Sequence, residues 1–159
     1  MHIQTTVFGE LEINEDKIIT FPEGIPGFEN LTRFVMIILD QTKPFLWLQS
    51  VDEDVSIPVI SPFEFDADYA PSIDDGQFAH LELEKEEDLL VLVVAVIPPV
   101  VTHMTANLAA PILINTAANI GIQALVENGE FPVRFPIFEA ISRQMRKEAL
   151  HAGTDTADS

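Results

Sequence analysis

The chain has 159 residues, 47% of them hydrophobic and 21% charged, with a net charge of -18. That is enough apolar material for one domain-sized core and too much for a disordered chain. With no cysteine present, disulfides, thiolate metal sites and thiol nucleophiles are excluded, and the acidity disfavours a surface built to hold nucleic-acid phosphates.

The opening stretch MHIQTTVFGELEI lacks the basic-then-apolar plan of a secretory signal, so a cytoplasmic chain is expected. LEI and KIITF flank Asn14, Glu15 and Asp16, a pattern that predicts the first hairpin. FPEGIPGFE, residues 21 to 29, mixes Pro and Gly closely enough to predict a rigid, sharply turning loop. FVMIIL (34 to 39) and FLWLQSV (45 to 51) read as paired strands, and IPVI (57 to 60) as a short one placed at an edge by Pro58.

From Asp52 to Asp88 the chain carries thirteen acids against one base, Lys85. Such a tract is a solvated face or a lure for a basic protein. ELEKEEDLL can form a short helical turn. It leads into DLLVLVVAVI (88 to 97), whose unbroken apolar run predicts a central strand covered on both faces. Residues 89 to 126 contain no Asp, Glu, Lys or Arg, but Pro98, Pro99, Pro111, Asn107, Asn115, Asn119 and Gln123 interrupt them, so no membrane span is expected. ILIN and IGIQALV are the last strands. PIFEAISRQMRKEAL is the one amphipathic helix, with Ile137, Phe138, Ile141 and Met145 on one stripe, Pro136 at its first position and Arg143, Arg146 and Lys147 toward its negative end. A polar tail, AGTDTADS, follows. The fold class is mainly β, with many short strands.

No catalytic pattern emerges. The histidines at 2, 80, 103 and 151 share no helical ligand spacing, and no serine stands in a nucleophile elbow. GIPGFE has prolines where a phosphate loop needs amides. Asp66 with Asp68, and Asp52 with Asp54, are the acid pairs a glycosidase-like mechanism would need, but pairs are expected by chance in so acidic a segment. DADY and DEDV lack the glycine and distal glutamate of a calcium loop. No cofactor or metal is expected. In MTANLAAPILIN (104 to 115), Thr105, Asn107 and Pro111 make a stiff turn entering a strand.

FPEGIPGFE, PFLWLQSVDE, DLLVLVVAVIPP, and MTANLAAPILIN followed by GIQAL stand in the order and approximate spacing of the flagellar assembly factor family FliW, which the chain resembles over residues 3 to 140. The resemblance implies a small closed or partly open antiparallel β-barrel with short helical turns and a C-terminal helix. The barrel would span residues 1 to 141, leaving 142 to 159 as helix end and tail. It also implies a non-enzyme that is monomeric when free. Its partners would be a CsrA-type translational repressor, antagonised outside its RNA-binding surface, and newly made flagellin, in a partner switch; no direct nucleic acid and no membrane are involved. A flagellin chaperone without repressor binding is the main alternative, and a barrel enzyme using an acid pair the other.

The candidate partner residues come from physical reasoning. Glu64, Asp66, Asp68, Asp74 and Asp75 would steer the basic repressor, with Phe65, Tyr69 and Ile73 as apolar anchors; the alternative is that these three tuck into the core. Met104, Thr105, Asn107 and Leu108 would present a rigid turn to flagellin.

Overall fold

Turn-forming residues cut the chain into short strands. A computed structural model describes residues 1–143 and Arg146. Its strands are β1 (His2–Thr5), β2 (Gly9–Glu12), β3 (Ile19–Thr20), β4 (Arg33–Ile37), β5 (Leu46–Ser50), β6 (Ser56–Ile60), β7 (Leu89–Val96), β8 (Thr105–Ala106), β9 (Ile112–Asn115), β10 (Ile120–Gln123) and β11 (Phe135–Pro136). Two helices are described, α1 (Asp75–Ala79) and α2 over 138–143.

Neighbours pair antiparallel from β3 through β7; β7 also pairs with β9, and β9 with β10. A single parallel bridge, Ile120 to Thr20, returns β10 to β3 and closes a seven-stranded barrel. β8 and β11 extend the end of β7 as a side ladder.

β7 explains its own composition. Leu92 points into the cluster holding Phe21, Phe34, Leu48, Val59, Ile112 and Ile114, whereas Val93 and Ala95 join a second cluster with Met104, Leu108, Ile137 and Ile141. A strand buried on both faces has no reason to alternate. The same holds for β9, where Ile112 and Ile114 face the first cluster and Leu113 packs with Leu81 and Ala124. Each such side chain stabilises by about 1.5–3 kcal/mol when fully buried. On β10, Gly121 is required by packing: a Cβ there would lie 2.5 Å from the Phe21 ring.

Four expectations are corrected. The first hairpin joins β1 to β2, because Thr5 Oγ1 accepts from the Phe8 amide at 2.8 Å and Gly9 takes a left-handed φ of 71°; Asn14 instead caps a 3₁₀ turn over Glu15–Lys17. β6 is flanked on both sides, yet β7 pairs only with its Val59 and Ile60. Pro58 therefore sits in the half of β6 that has one neighbour, where its missing donor costs nothing. The helical turn near ELEKEEDLL shrinks to a 3₁₀ turn at Glu86–Asp88, while the α-helix forms earlier, over α1. Pro136 pairs with Thr105 in β11 and does not open a helix; α2 begins at Phe138. Met145, Lys147 and the polar tail lie outside the described residues.

The 21–29 loop turns sharply, as its composition predicts. Gly24 has a φ of 68°, and a Cβ on it would lie 2.6 Å from the Glu29 backbone, so only glycine fits there.

Candidate protein-binding face

The acidic loop after β6 is shaped by its own short polar side chains. Ser61 Oγ accepts from the Phe63 amide at 3.3 Å, and Pro62 opens a 3₁₀ turn over Pro62–Glu64. The Asp66 amide then donates back to the Pro62 carbonyl, and Asp66 Oδ1 accepts from the Asp68 amide at 3.2 Å. These turns leave Glu64 and Asp68 exposed and Asp66 half-buried. Further on, Asp74 Oδ1 accepts from the Gly76 amide at 3.3 Å and starts α1, leaving Asp74 and Asp75 exposed as well.

Tyr69 turns inward. It is only 4% exposed, its hydroxyl donates to the Leu108 carbonyl at 2.6 Å, and its ring meets the edge of Phe131 with centroids 4.9 Å apart. Burial first, then the negative fields of Asp66 and Glu130, push the phenol up to about 12. Tyr69, Met104 and Leu108 belong to one buried cluster, so the structure brings the two candidate segments, 62–75 and 104–108, into one neighbourhood.

The other named residues hold that neighbourhood together. Phe65 is half-buried and stacks on Phe135 at 5.7 Å. Ile73, also half-buried, bridges to Val126 and packs by Leu81. Thr105 pairs with Val96 and Pro136. Asn107 Oδ1 accepts from the Ala109 amide at 3.0 Å, while its backbone N–H donates to the Val94 carbonyl. The interruptions in MTANLAAPILIN are thus structural. Asn115 shows the same: 3% exposed, it donates to the carbonyls of Leu81 and Glu82 and accepts from the amides of Ala117 and Ala118.

Exposed to solvent along this segment are the carboxylates of Glu64, Asp68, Asp74 and Asp75, with Glu130 from a distant segment, and Phe63, next to Glu64, is 49% exposed and meets the Tyr69 ring at 6.4 Å. Glu130 joins the segment by accepting from the Ser72 amide at 3.3 Å. Sequence reasoning missed Phe63 and Glu130. The alternation Phe63-Glu64-Phe65 carried a signal for the first; the second comes from a distant segment that only the fold delivers. From the end of β7 onward, Val96, Ile97, Val100 and Val101 are exposed apolar residues, continuous with the 104–108 turn through the Met104 amide, which donates to the Val101 carbonyl at 3.1 Å.

Asp52 and Asp54 are each engaged by a different partner. Asp52 accepts from Arg33, and Asp54 from the Thr6 amide and hydroxyl. Both carboxyls are held below the usual range, Asp52 chiefly by the Arg33 hydrogen bond and Asp54 chiefly by the Thr6 hydroxyl. Among the described residues no group of three His, Asp or Glu side chains is placed to hold a metal ion. None of the described helices is long and apolar enough to cross a membrane.

Fold and surface together define a small closed-barrel protein that offers an acidic face with an aromatic side chain set in it. A family model described as FliW protein matches residues 2–137. Flagellar assembly factors FliW are 42% identical in Caldicellulosiruptor saccharolyticus, over 91% of this chain and 95% of that protein, and 44% identical in Thermoanaerobacter pseudethanolicus, over 89% and 95%. The FliW of Thermotoga maritima is 38% identical over 89% of this chain and 96% of its own. A crystal structure of the flagellar assembly factor FliW superposes with a TM-score of 0.80 at 32% identity, covering 86% of this chain and 96% of that one. The chain belongs to the FliW family.

Proposed function

We propose that this chain binds two proteins in turn, a CsrA-type translational repressor and flagellin, and thereby couples flagellin synthesis to its use. Free factor holds the repressor off the flagellin message by acting outside the RNA-binding surface; unsecreted flagellin captures the factor and releases the repressor. The factor works in the cytoplasm as a monomer and performs no catalysis.

The observation that carries this reading is the run of exposed carboxylates over residues 64–75 that accompanies exposed Phe63. A repressor that grips RNA carries basic surface, and an acidic face speeds its encounter while a desolvated aromatic ring contributes binding energy. The apolar strip at Val96–Val101 suits an apolar partner segment of the sort a secreted filament subunit exposes before assembly. Relatives named as flagellar assembly factors support the setting.

The test is a titration of the purified chain into the repressor at low and moderate salt, followed by flagellin. Complex formation that weakens with salt and is reversed by flagellin is the expected result. Flagellin binding without any repressor complex would leave a dedicated flagellin chaperone in its place.

A further inference from the structure

Where residues 72–74 meet residues 125–127, the chain begins a ladder that main chain alone does not finish. Ile73 and Val126 form an antiparallel bridge, and the Glu127 amide donates to the Ser72 carbonyl at 2.9 Å. Hydrogen-bonded pairs recur at every second residue of an antiparallel ladder, so the next rung would join Asp74 to Leu125. Asp74 is committed elsewhere. Opening α1, it accepts the Gln77 amide on its carbonyl at 2.9 Å and the Gly76 amide on its carboxylate. The Gln77 side chain supplies the rung instead: its Nε2 donates to the Leu125 carbonyl at 3.0 Å, and its Oε1 accepts from the Leu125 amide at 2.7 Å. A carboxamide carries the donor and the acceptor of a peptide group, and here it takes the place of one.

α1 has five residues, too few to persist in water without tertiary support. Ile73 and Phe78 pack against Leu81, Leu113 and Ala124, but apolar contact is non-directional. The two Gln77 bonds are directional, so they fix where α1 sits against the segment that begins at Leu125. The exposed carboxylates of Asp74 and Asp75 stand at the start of α1. Their place on the surface is fixed with it.

We propose that Gln77 is a positioning residue for the partner-binding face, holding the Asp74 and Asp75 carboxylates in the register in which the basic repressor meets them. The inference rests on the reading of residues 64–75 as the surface that meets that partner. Gln77 is uncharged, so it adds nothing to the field that draws the partner in; its contribution is to the register of the finished complex.

The experiment uses the full chain with Gln77→Ala, and with Gln77→Met, which keeps a long side chain but removes both hydrogen bonds. Each is made in the parent and in a background carrying Asp74→Asn and Asp75→Asn, where asparagine preserves the cap of α1. Hydrogen exchange reads the clamp: the Leu125 amide should exchange about tenfold faster in both variants. Leu92 and Leu113, in β7 and β9, should keep their protection, which shows the barrel intact. Stopped-flow mixing with the repressor reads the consequence. Dissociation should quicken about three- to tenfold, the weight of one or two hydrogen bonds, with association at low salt unchanged because no charge is removed. In the Asp74→Asn, Asp75→Asn background the same substitutions should change dissociation by less than about twofold, since residues that act through one another are not additive. A residue that only stabilised the fold would quicken dissociation equally in both backgrounds. That result, an unchanged dissociation rate in the parent background, or an unchanged Leu125 amide would overturn the assignment while leaving repressor binding in place. A parent chain that does not bind the repressor overturns the partner reading itself, and this inference with it.

Discussion

Tyr69 is where the two halves of the candidate face meet, and its hydroxyl makes that contact measurable. Tyr69→Phe keeps the ring against Phe131 but leaves the Leu108 carbonyl without its donor, a loss of about 1–3 kcal/mol in denaturant unfolding. The phenol also writes a signature in alkali. Its folded value is pushed up to about 12, against about 10 when unfolded, so above pH about 10 the unfolded state releases the proton first. Stability from this group is complete below pH about 10 and falls as pH rises toward about 12. The Phe variant should lack that part of the alkaline decline, and an identical decline in both proteins would remove the claim. Asn115 is the second residue with disproportionate weight, because one buried amide serves two carbonyls and two amides at the β9–β10 turn. Asn115→Ala should cost about 2–4 kcal/mol, seen as a lower urea midpoint with an unchanged slope.

Elements with a strong local signal were legible in the sequence, and those decided by distant partners were not. β7 and β9 announce themselves because burial on both faces demands unbroken apolar runs, and β4 with β5 because two aromatic and β-branched runs are joined by a short connection. The β1–β2 hairpin was misplaced: the turn at Thr6–Phe8 depends on Thr5 and Gly9, a weaker signal than Asn14-Glu15-Asp16. For the face, the acids were legible by type, whereas the inward turn of Tyr69 and the arrival of Phe131 and Glu130 depend on a chain return some sixty residues later. One element remains mechanically weak. The barrel closes between β3 and β10 through a single parallel bridge, while β4 and β5 share four register pairs. Local opening follows the poorest ladder. Hydrogen exchange should therefore release the Thr20 amide, bonded to Asn119, well before those of Val35 and Leu48; equal protection would show that the barrel opens only as a unit.

At the scale of the molecule, charge governs approach and packing governs residence. The chain's net charge is -18, with thirteen acids between Asp52 and Asp88, so its field acts on a basic partner before contact. The screening length is about 8 Å at physiological salt and about 30 Å at a tenfold to fifteenfold lower concentration, which makes the encounter, more than the finished complex, the salt-sensitive step. Reversing Asp66, Asp68, Asp74 and Asp75 to lysine changes the field along that segment, where three of the four side chains are exposed and make no ion pair among the described residues. The association rate constant with the repressor should drop about tenfold or more at low salt, and the difference between variant and parent should narrow as salt rises. Phe63→Ala is the opposite case: a desolvated ring acts after encounter, so its loss should raise the dissociation rate and leave association nearly unchanged. Stopped-flow mixing at three ionic strengths separates the two. If the lysine variant associates as fast as the parent at low salt, the segment does not steer, and the acidic tract is reduced to a solubilising surface.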